Sequence, residues 1–278
     1  MLGKLIKHEF RATGRIMLPL LGAVLVLSPL AGLVIRGFDR ERFEGFFKFL
    51  GGIFVGIFFM AVAAICITAF VIMIRRFYSN LLQDEGYLMF TLPVSTHALI
   101  FSKLIVSFVW FVVAAIASIL FIVIVVLISF ASSDFTNFIV FYTDIATLVG
   151  AGNIALYMIE GVICLFLFSC SICLHFYAAM ALGHSFASHK ILLSICFFVV
   201  LDIAVVWLFF GAMQFLGGNI MDSLFASLDA WMDGLTNDKA YAIIPHIMFI
   251  CGGLYFAVMS ALYYIPTFLP LKKRLNLS

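Results

Sequence analysis

The sequence predicts an all-α, polytopic membrane protein with about six transmembrane helices and an N-terminal interfacial elbow helix. Of its 278 residues, 65% are hydrophobic and only 11% are charged, whereas a soluble domain carries roughly 25% charged residues. Apolar runs that are long enough to cross a bilayer, about 20 residues per helix, recur along the chain. These observations exclude a soluble domain and make the lipid bilayer the first expected partner.

Six apolar runs define the predicted spans. They cover residues 16–36, 51–74, 104–130, 151–182, 191–213 and 241–265. An even number of spans puts both termini on one side of the membrane. Most of the 16 lysines and arginines lie on the inner side when both termini are cytoplasmic, as the positive-inside rule requires. We therefore predict a multi-pass protein of the cell membrane with both termini in the cytoplasm.

The segment before the first span is too charged to cross a membrane. Its apolar residues recur at helical spacing, at Leu2, Leu5, Ile6 and Phe10, with lysines on the other faces. Such a stretch suits the membrane interface, where apolar side chains dip inward and lysines meet anionic lipid. We predict an elbow helix over residues 1–15; the alternative is a solvated tail.

The outer segment 214–240 carries a second amphipathic pattern. Its apolar stripe consists of Ile220, Met221, Leu224, Leu228, Trp231 and Leu235, and three aspartates lie on other faces. The pattern predicts a helix at the outer surface. This helix either covers the surface as an amphipathic element or re-enters the membrane.

Small residues follow one another at helical spacing along the second span. Gly52 and Gly56 form a GxxxG pattern, and small residues let helices approach closely in lipid. The pattern indicates either helix packing within the chain or an interface between two permeases.

The sequence contains no motif that indicates catalysis. The P-loop pattern GxxxxGK[ST], HExxH and GxSxG are all missing, so the chain is not expected to be an enzyme or to bind ATP itself. Cys170 and Cys173 form a CxxC pattern without a second pair nearby, so no metal site is predicted. His184 and His189 are interpreted as ordinary loop residues. No nucleic-acid partner is expected.

Two carboxylates lie inside predicted spans, where a charge at the bilayer centre costs about 2.5–3.5 kcal/mol. Asp202 lies about 18 Å from Lys190 along its helix, at about 1.5 Å per residue, and His175 in the neighbouring span is a possible partner. Glu160 lies near the outer boundary, at a depth similar to that of His246. Asp202 is either a polar residue that is hydrogen-bonded within the helix bundle or part of a substrate route. Glu160 is either a solvated residue at the membrane interface or, with His246, a further polar residue of that route.

The longest cytoplasmic stretch is the loop 75–102, which is polar at its start and apolar later. Pro93 ends a short helical segment, and Ser95 or Thr96 can cap the third span. Apolar residues such as Leu81, Leu82 and Tyr87 are expected to face the cytoplasm. We interpret the loop as a docking element for another protein.

The string QDEGYLMFTLPVSTHALIFSK, residues 83–103, strongly resembles the cytoplasmic loop of the type-two family of ATP-binding-cassette exporter permeases. In that family a similar acid-Gly-Tyr-Leu, Thr-Leu-Pro-Val-Ser and Ser-Lys run precedes the third span. The C-terminal LKKRLNL also looks like the endings of small bacterial members. The elbow, the six spans and the outer element match the family layout over nearly the full length, which implies one permease domain over residues 1–278.

The resemblance implies a coupling helix within residues 75–95 that contacts a separate ATPase subunit. The implied contact residues are Leu81, Leu82, Asp84, Glu85, Gly86 and Tyr87. ATP and magnesium are then bound by that subunit and not by this chain, and the permeases form a homodimer or a heterodimer of related chains. The implied function is export of a peptide, antibiotic or amphipathic compound. The alternative is a non-transporting module for signalling or immunity that is coupled to an ATPase.

Overall fold

Long α-helices make up the fold in a computed structural model of the chain. The structure describes residues 2–39, 45–83, 86, 91, 94–129, 136, 139–140, 143, 147, 150–186, 189–217, 222–223, 226–227, 229–231, 234 and 237–273. The helices are α1 (Leu2–Asp39), α2 (Phe46–Phe77), α3 (Thr96–Ser129), α4 (Ala151–Gly183), α5 (Lys190–Leu216) and α6 (Asn237–Lys273). A π-helical turn, Tyr78–Leu82, follows α2 directly.

Each of these six helices is long and apolar enough to cross a membrane. The predicted fold class is confirmed: the protein is an all-α, polytopic membrane protein. Every helix is longer than the apolar run that predicted it. The structure divides into two compact units, one formed by Met1–Ser79 and Leu92–Tyr142 and the other by Asn80–Thr91 and Thr143–Ser278.

Unit 1 contains α1, α2 and α3, which pack against one another. Each helix contributes residues at spacings of three, four or seven to a common core. The core includes Met17, Val24 and Ala31 from α1, Phe58, Val62, Ile65, Ala69 and Ile72 from α2, and Val106, Trp110, Ala114, Phe121 and Val125 from α3. This spacing keeps one stripe of each helix facing its neighbours.

The N-terminal segment does not form a separate elbow. Residues 2–15 are helical, but α1 continues through them into the first span without a break. Even Pro19, near the junction, lies inside the helix. The polar side of this segment includes Glu9, which is buried within the described structure. The burial of Glu9 shows that the first turns of α1 pack against the other helices of unit 1.

Unit 2 contains α4, α5 and α6, with α4 packed against both of the others. The α4–α5 pair comes close at Gly183, where an added Cβ would lie 2.5 Å from the backbone nitrogen of Ser194. Only glycine allows this approach. Close to Gly183, α4 also buries the small side chains of Ala178, Ala179 and Ala181, and small residues let helices pack closely.

Three local expectations have definite outcomes. Ser95 caps the third span as predicted, since its Oγ accepts a hydrogen bond from the Ala98 backbone nitrogen at 3.3 Å. Gly52 and Gly56 do not mediate packing between described helices, because an added Cβ at either position meets no atom within 4 Å. Most of the outer stripe lies outside the described residues; of its members only Trp231 is described, and it is helical and exposed.

Candidate functional site

The segment that follows α2 is the first candidate site. Helical structure continues through the π turn to Leu82, so the predicted loop does not begin at residue 75. The expectation that Leu81 and Leu82 face solvent is wrong: their exposed fractions are 0% and 4%. A π turn adds a residue relative to an α-helical turn, so it changes which side chains face inward in a way that the sequence spacing does not show.

The remaining predicted contact residues lie around a turn. Gly86 is buried, and its backbone nitrogen donates a hydrogen bond to the carbonyl of Gln83 at 2.8 Å. Gln83 is exposed. Asp84, Glu85 and Tyr87 lie outside the described residues. Of the four described residues between 81 and 86, Gln83 is the exposed one.

A buried ion pair lies in unit 1, and the sequence interpretation missed it. The Lys103 ammonium donates a hydrogen bond to Glu9 Oε1 at 2.9 Å, and both side chains are at most 4% exposed. Arg76 adds a second cation, with its Nε 3.9 Å from Glu9 Oε2. The three residues come from α1, α3 and α2, so one carboxylate connects all three helices of the unit.

A second polar contact lies one turn further along α1 and joins α1 to α3. The indole nitrogen of Trp110 donates to Thr13 Oγ1 at 2.7 Å, and the Thr13 hydroxyl donates to the carbonyl of Glu9 at 2.8 Å. The signal in the sequence was Glu9 itself, a lone acid among the basic residues of the N-terminal segment. Its partner Lys103 is the last residue of the string that resembles the permease family.

In unit 2, the structure brings together Glu160 and His246, which sequence reasoning had placed at a similar depth. The His246 Nδ1 lies 2.9 Å and 2.7 Å from the two carboxylate oxygens of Glu160. The Tyr157 ring packs on the imidazole with the ring centroids 4.5 Å apart. Its hydroxyl donates to the carbonyl of Ala242 at 2.5 Å. The cluster therefore joins α4 to α6 through a half-buried, titratable pair.

The second predicted pair also forms. His175 Nε2 lies 3.5 Å from Asp202 Oδ1 and 3.3 Å from the carbonyl of Phe198. The imidazole stacks between the rings of Phe198 and Tyr263, with centroid distances of 4.2 Å and 4.6 Å. The stacked rings fix the imidazole plane, whereas the Asp202 side chain is 55% exposed.

The two pairs form separate sites. Glu160 and His175 both belong to α4, where a rise of about 1.5 Å per residue puts them roughly 22 Å apart along the axis. Each pair joins α4 to a different neighbour, α6 in one case and α5 in the other. A partly exposed carboxylate beside a histidine can contact a cationic or hydrogen-bonding group at either point.

Within the described ranges, no group of three or more His, Cys, Asp or Glu side chains converges. All six cysteines are free thiols. His184, interpreted from the sequence as a loop residue, is buried at the end of α4 and its Nδ1 lies 2.9 Å from the carbonyl of Met180. Burial lowers the pKa of His184 below its ordinary value, and the nearby Lys190 acts in the same direction.

No protein-family model, curated protein or solved structure matches the chain.

Proposed function

We propose that this chain is the membrane-spanning permease subunit of an ATP-binding-cassette exporter, driven by a separate ATPase subunit. The observation that carries the proposal is the string at residues 83–103, with its resemblance to the family's cytoplasmic loop. Six candidate spans and a helix cap at Ser95, directly before the third span, are consistent with the layout of such a permease.

The burial of Leu81 and Leu82 supports two separate roles within the coupling segment, attachment to the permease and contact with the ATPase. These leucines anchor the segment to the helices of the permease. Gln83, Asp84 and Glu85 then offer the polar and acidic contact to the ATPase. Because the anchor directly continues α2 through the π turn, displacement of the contact residues is transmitted to the second span.

The substrate route is proposed to include the Glu160–His246 and His175–Asp202 pairs. Charged groups in membrane spans are expensive and ordinarily face a bundle interior or a water-filled cavity. Asp202 is the stronger case, because its carboxylate is half-exposed near the middle of α5. A peptide, antibiotic or other amphipathic compound has both polar groups for these pairs and apolar surface for the surrounding helices.

The test of this proposal is co-purification of the ATPase with charge-reversed permease in mild detergent. Glu85→Lys is expected to weaken the association about thirtyfold or more, since a central contact residue is typically worth 2 kcal/mol or more. Asp222→Lys is the matched control, because Asp222 is exposed and lies in the predicted outer segment. Equal retention of the ATPase by both variants would contradict the proposed contact.

Transport is tested separately in liposomes that contain the permease and its ATPase. The exporter proposal predicts ATP-dependent movement of an amphipathic compound across the membrane. The signalling or immunity alternative predicts ATPase association and stimulation without movement of any compound. Failure of both association and stimulation would exclude both functions.

The proposed orientation has its own measurement. In a cysteine-free background, Asp222→Cys is expected to react with an impermeant thiol reagent added to sealed cells, and Gln83→Cys is expected to react only after the membrane is permeabilised. Both positions are exposed, so the difference reports the side of the membrane. Labelling of Gln83→Cys in sealed cells would show that the topology is the reverse of the proposed one.

A further inference from the structure

An open apolar groove lies in unit 2, where α4 ends and α5 begins. Its volume is about 520 Å³, within the range of roughly 300–1,000 Å³ that is usual for ligand sites. The largest lining side chains are Leu182, Phe186, Phe197, Ile265 and Leu269, and Ser185 is the polar exception. The rings of Phe186 and Phe197 stack with their centroids 5.8 Å apart and form one wall.

The groove lies at the end of membrane-spanning helices, which determines the molecules that reach it. One wall comes from α5, whose candidate span starts at Lys190, and another from α6, whose candidate span ends at Lys272. The apolar walls therefore face the outermost part of the hydrocarbon layer. Acyl chains are the apolar molecules available at that depth.

Two basic residues lie on the helices that line the groove, a short distance along the chain from its lining residues. Lys190 lies two turns before Phe197 on the same side of α5, and Lys272 lies one turn beyond Leu269 on the same side of α6. The Lys272 ammonium lies 5.6 Å from the centroid of the Phe268 ring, so its side chain folds along the helix end. The stretches 183–201 and 261–273, which surround the groove, contain no acidic residue.

We propose that this groove binds one acyl chain of an anionic phospholipid, with the lipid phosphate beside Lys190 and Lys272. The apolar walls accommodate the chain, and the two lysines lie at the depth of the head group. A lysine near the membrane surface attracts anionic lipid, whereas a lipid without net charge gains much less from it. The inference goes beyond the proposed export function and does not depend on the ATPase.

The experiment is native mass spectrometry of the full chain, purified in detergent and titrated with phosphatidylglycerol or phosphatidylcholine. Phosphatidylglycerol is expected to remain bound at concentrations where phosphatidylcholine does not. The Lys190→Gln, Lys272→Gln double variant is expected to weaken phosphatidylglycerol binding about thirtyfold. The double variant Lys48→Gln, Arg75→Gln is the control, because it removes two exposed cations of unit 1 that lie outside the N-terminal segment, and a change below about twofold is expected.

A second variant tests the apolar part of the site. Ser185→Leu adds side-chain volume to the groove wall and is expected to reduce binding of both lipids, whereas the lysine variants act on the anionic lipid alone. If the double variant does not fold, Lys272→Gln alone is used, with an expected loss of about fivefold. Equal binding of the two lipids, or a loss in the lysine variant no greater than in its control, would overturn the proposal.

Discussion

The two units of the protein differ in how far the carboxylates of their polar pairs are exposed. In unit 1 the carboxylate of Glu9 is buried, and Lys103 contacts it at 2.9 Å. In unit 2 the carboxylates of Glu160 and Asp202 remain 25% and 55% exposed, although each lies inside a candidate span beside a histidine. Among the described residues, the Glu9–Lys103 pair of unit 1 is therefore buried, whereas the two carboxylate–histidine pairs of unit 2 are partly exposed.

This difference separates a structural role from a functional one. A fully buried pair cannot exchange partners without unfolding its surroundings, and removal of one member leaves an uncompensated charge. A partly exposed pair can contact a ligand at much lower cost. We therefore expect substitutions in unit 1 to act mainly on stability and substitutions in unit 2 to act mainly on transport.

The largest expected effect comes from Lys103→Met. This change removes the ammonium and leaves the buried Glu9 carboxylate with Arg76, 3.9 Å away, as its remaining cation, so we expect a loss of about 3 kcal/mol in the free energy of unfolding, at the lower end of the range for a broken buried pair. Thermal unfolding in detergent measures the change. Lys48→Met, at an exposed position of unit 1, is expected to stay within about 0.5 kcal/mol.

A compensating change makes this prediction sharper. Replacement of both members, Glu9→Leu with Lys103→Met, is expected to recover most of the stability, since apolar side chains of similar size often replace a buried ion pair at little cost. If Lys103→Met alone unfolds no more easily than Lys48→Met, the buried pair does not stabilise unit 1.

The next effect concerns packing in unit 2. Gly183→Ala forces a Cβ against the Ser194 backbone, and overpacking of this kind typically costs about 1–3 kcal/mol. Gly161→Ala is the control, because its Cβ would lie 3.7 Å from the Phe249 ring, in ordinary contact. Equal unfolding temperatures for the two variants would show that α4 and α5 do not approach as closely as described.

A smaller effect is expected at the Glu160–His246 pair. Because both side chains are partly exposed, we expect Glu160→Gln to change stability by no more than about 1 kcal/mol while it alters transport. A double-mutant cycle with His246→Asn is expected to give a coupling energy of about 0.5 kcal/mol or more. A stability loss as large as that of Lys103→Met would remove the distinction between the units.

The smallest predicted effect is a pH dependence at His184. Since burial holds the pKa of His184 below its ordinary value, the unfolded chain binds more protons at pH values between the two pKa values. Stability is therefore expected to fall as the pH falls through the ordinary histidine range, and to be level above it. The unfolding temperature of His184→Gln should show less of this fall, whereas His8→Gln, at an exposed position, should retain it.

The number of spans was predictable because each crossing of a bilayer needs an apolar helix of a minimum length. The length of each apolar run can be counted directly in the sequence. The His175–Asp202 pair was predictable because depth along a helix follows from residue count. The sequence could not show that α1 runs unbroken from Leu2, since an amphipathic start and an apolar span share the same helical periodicity.

The expected exposure of Leu81 and Leu82 was wrong because tertiary contacts override the local sequence pattern. Leu81 and Leu82 have the composition of a docking surface, but the π turn and the surrounding structure bury them. The Glu9–Lys103 pair joins residues far apart in the chain, and no local spacing reveals such a partner.

The central claim, that the segment after α2 contacts a separate ATPase, is tested most directly by photo-crosslinking in intact membranes. A photoreactive residue at Gln83, which is exposed, is expected to capture a nucleotide-binding subunit, identified by peptide mass spectrometry. The same probe at Asp222, exposed in the predicted outer segment, is expected to capture none. Capture of no ATP-hydrolysing protein from Gln83, or equal capture from both positions, would contradict the claim.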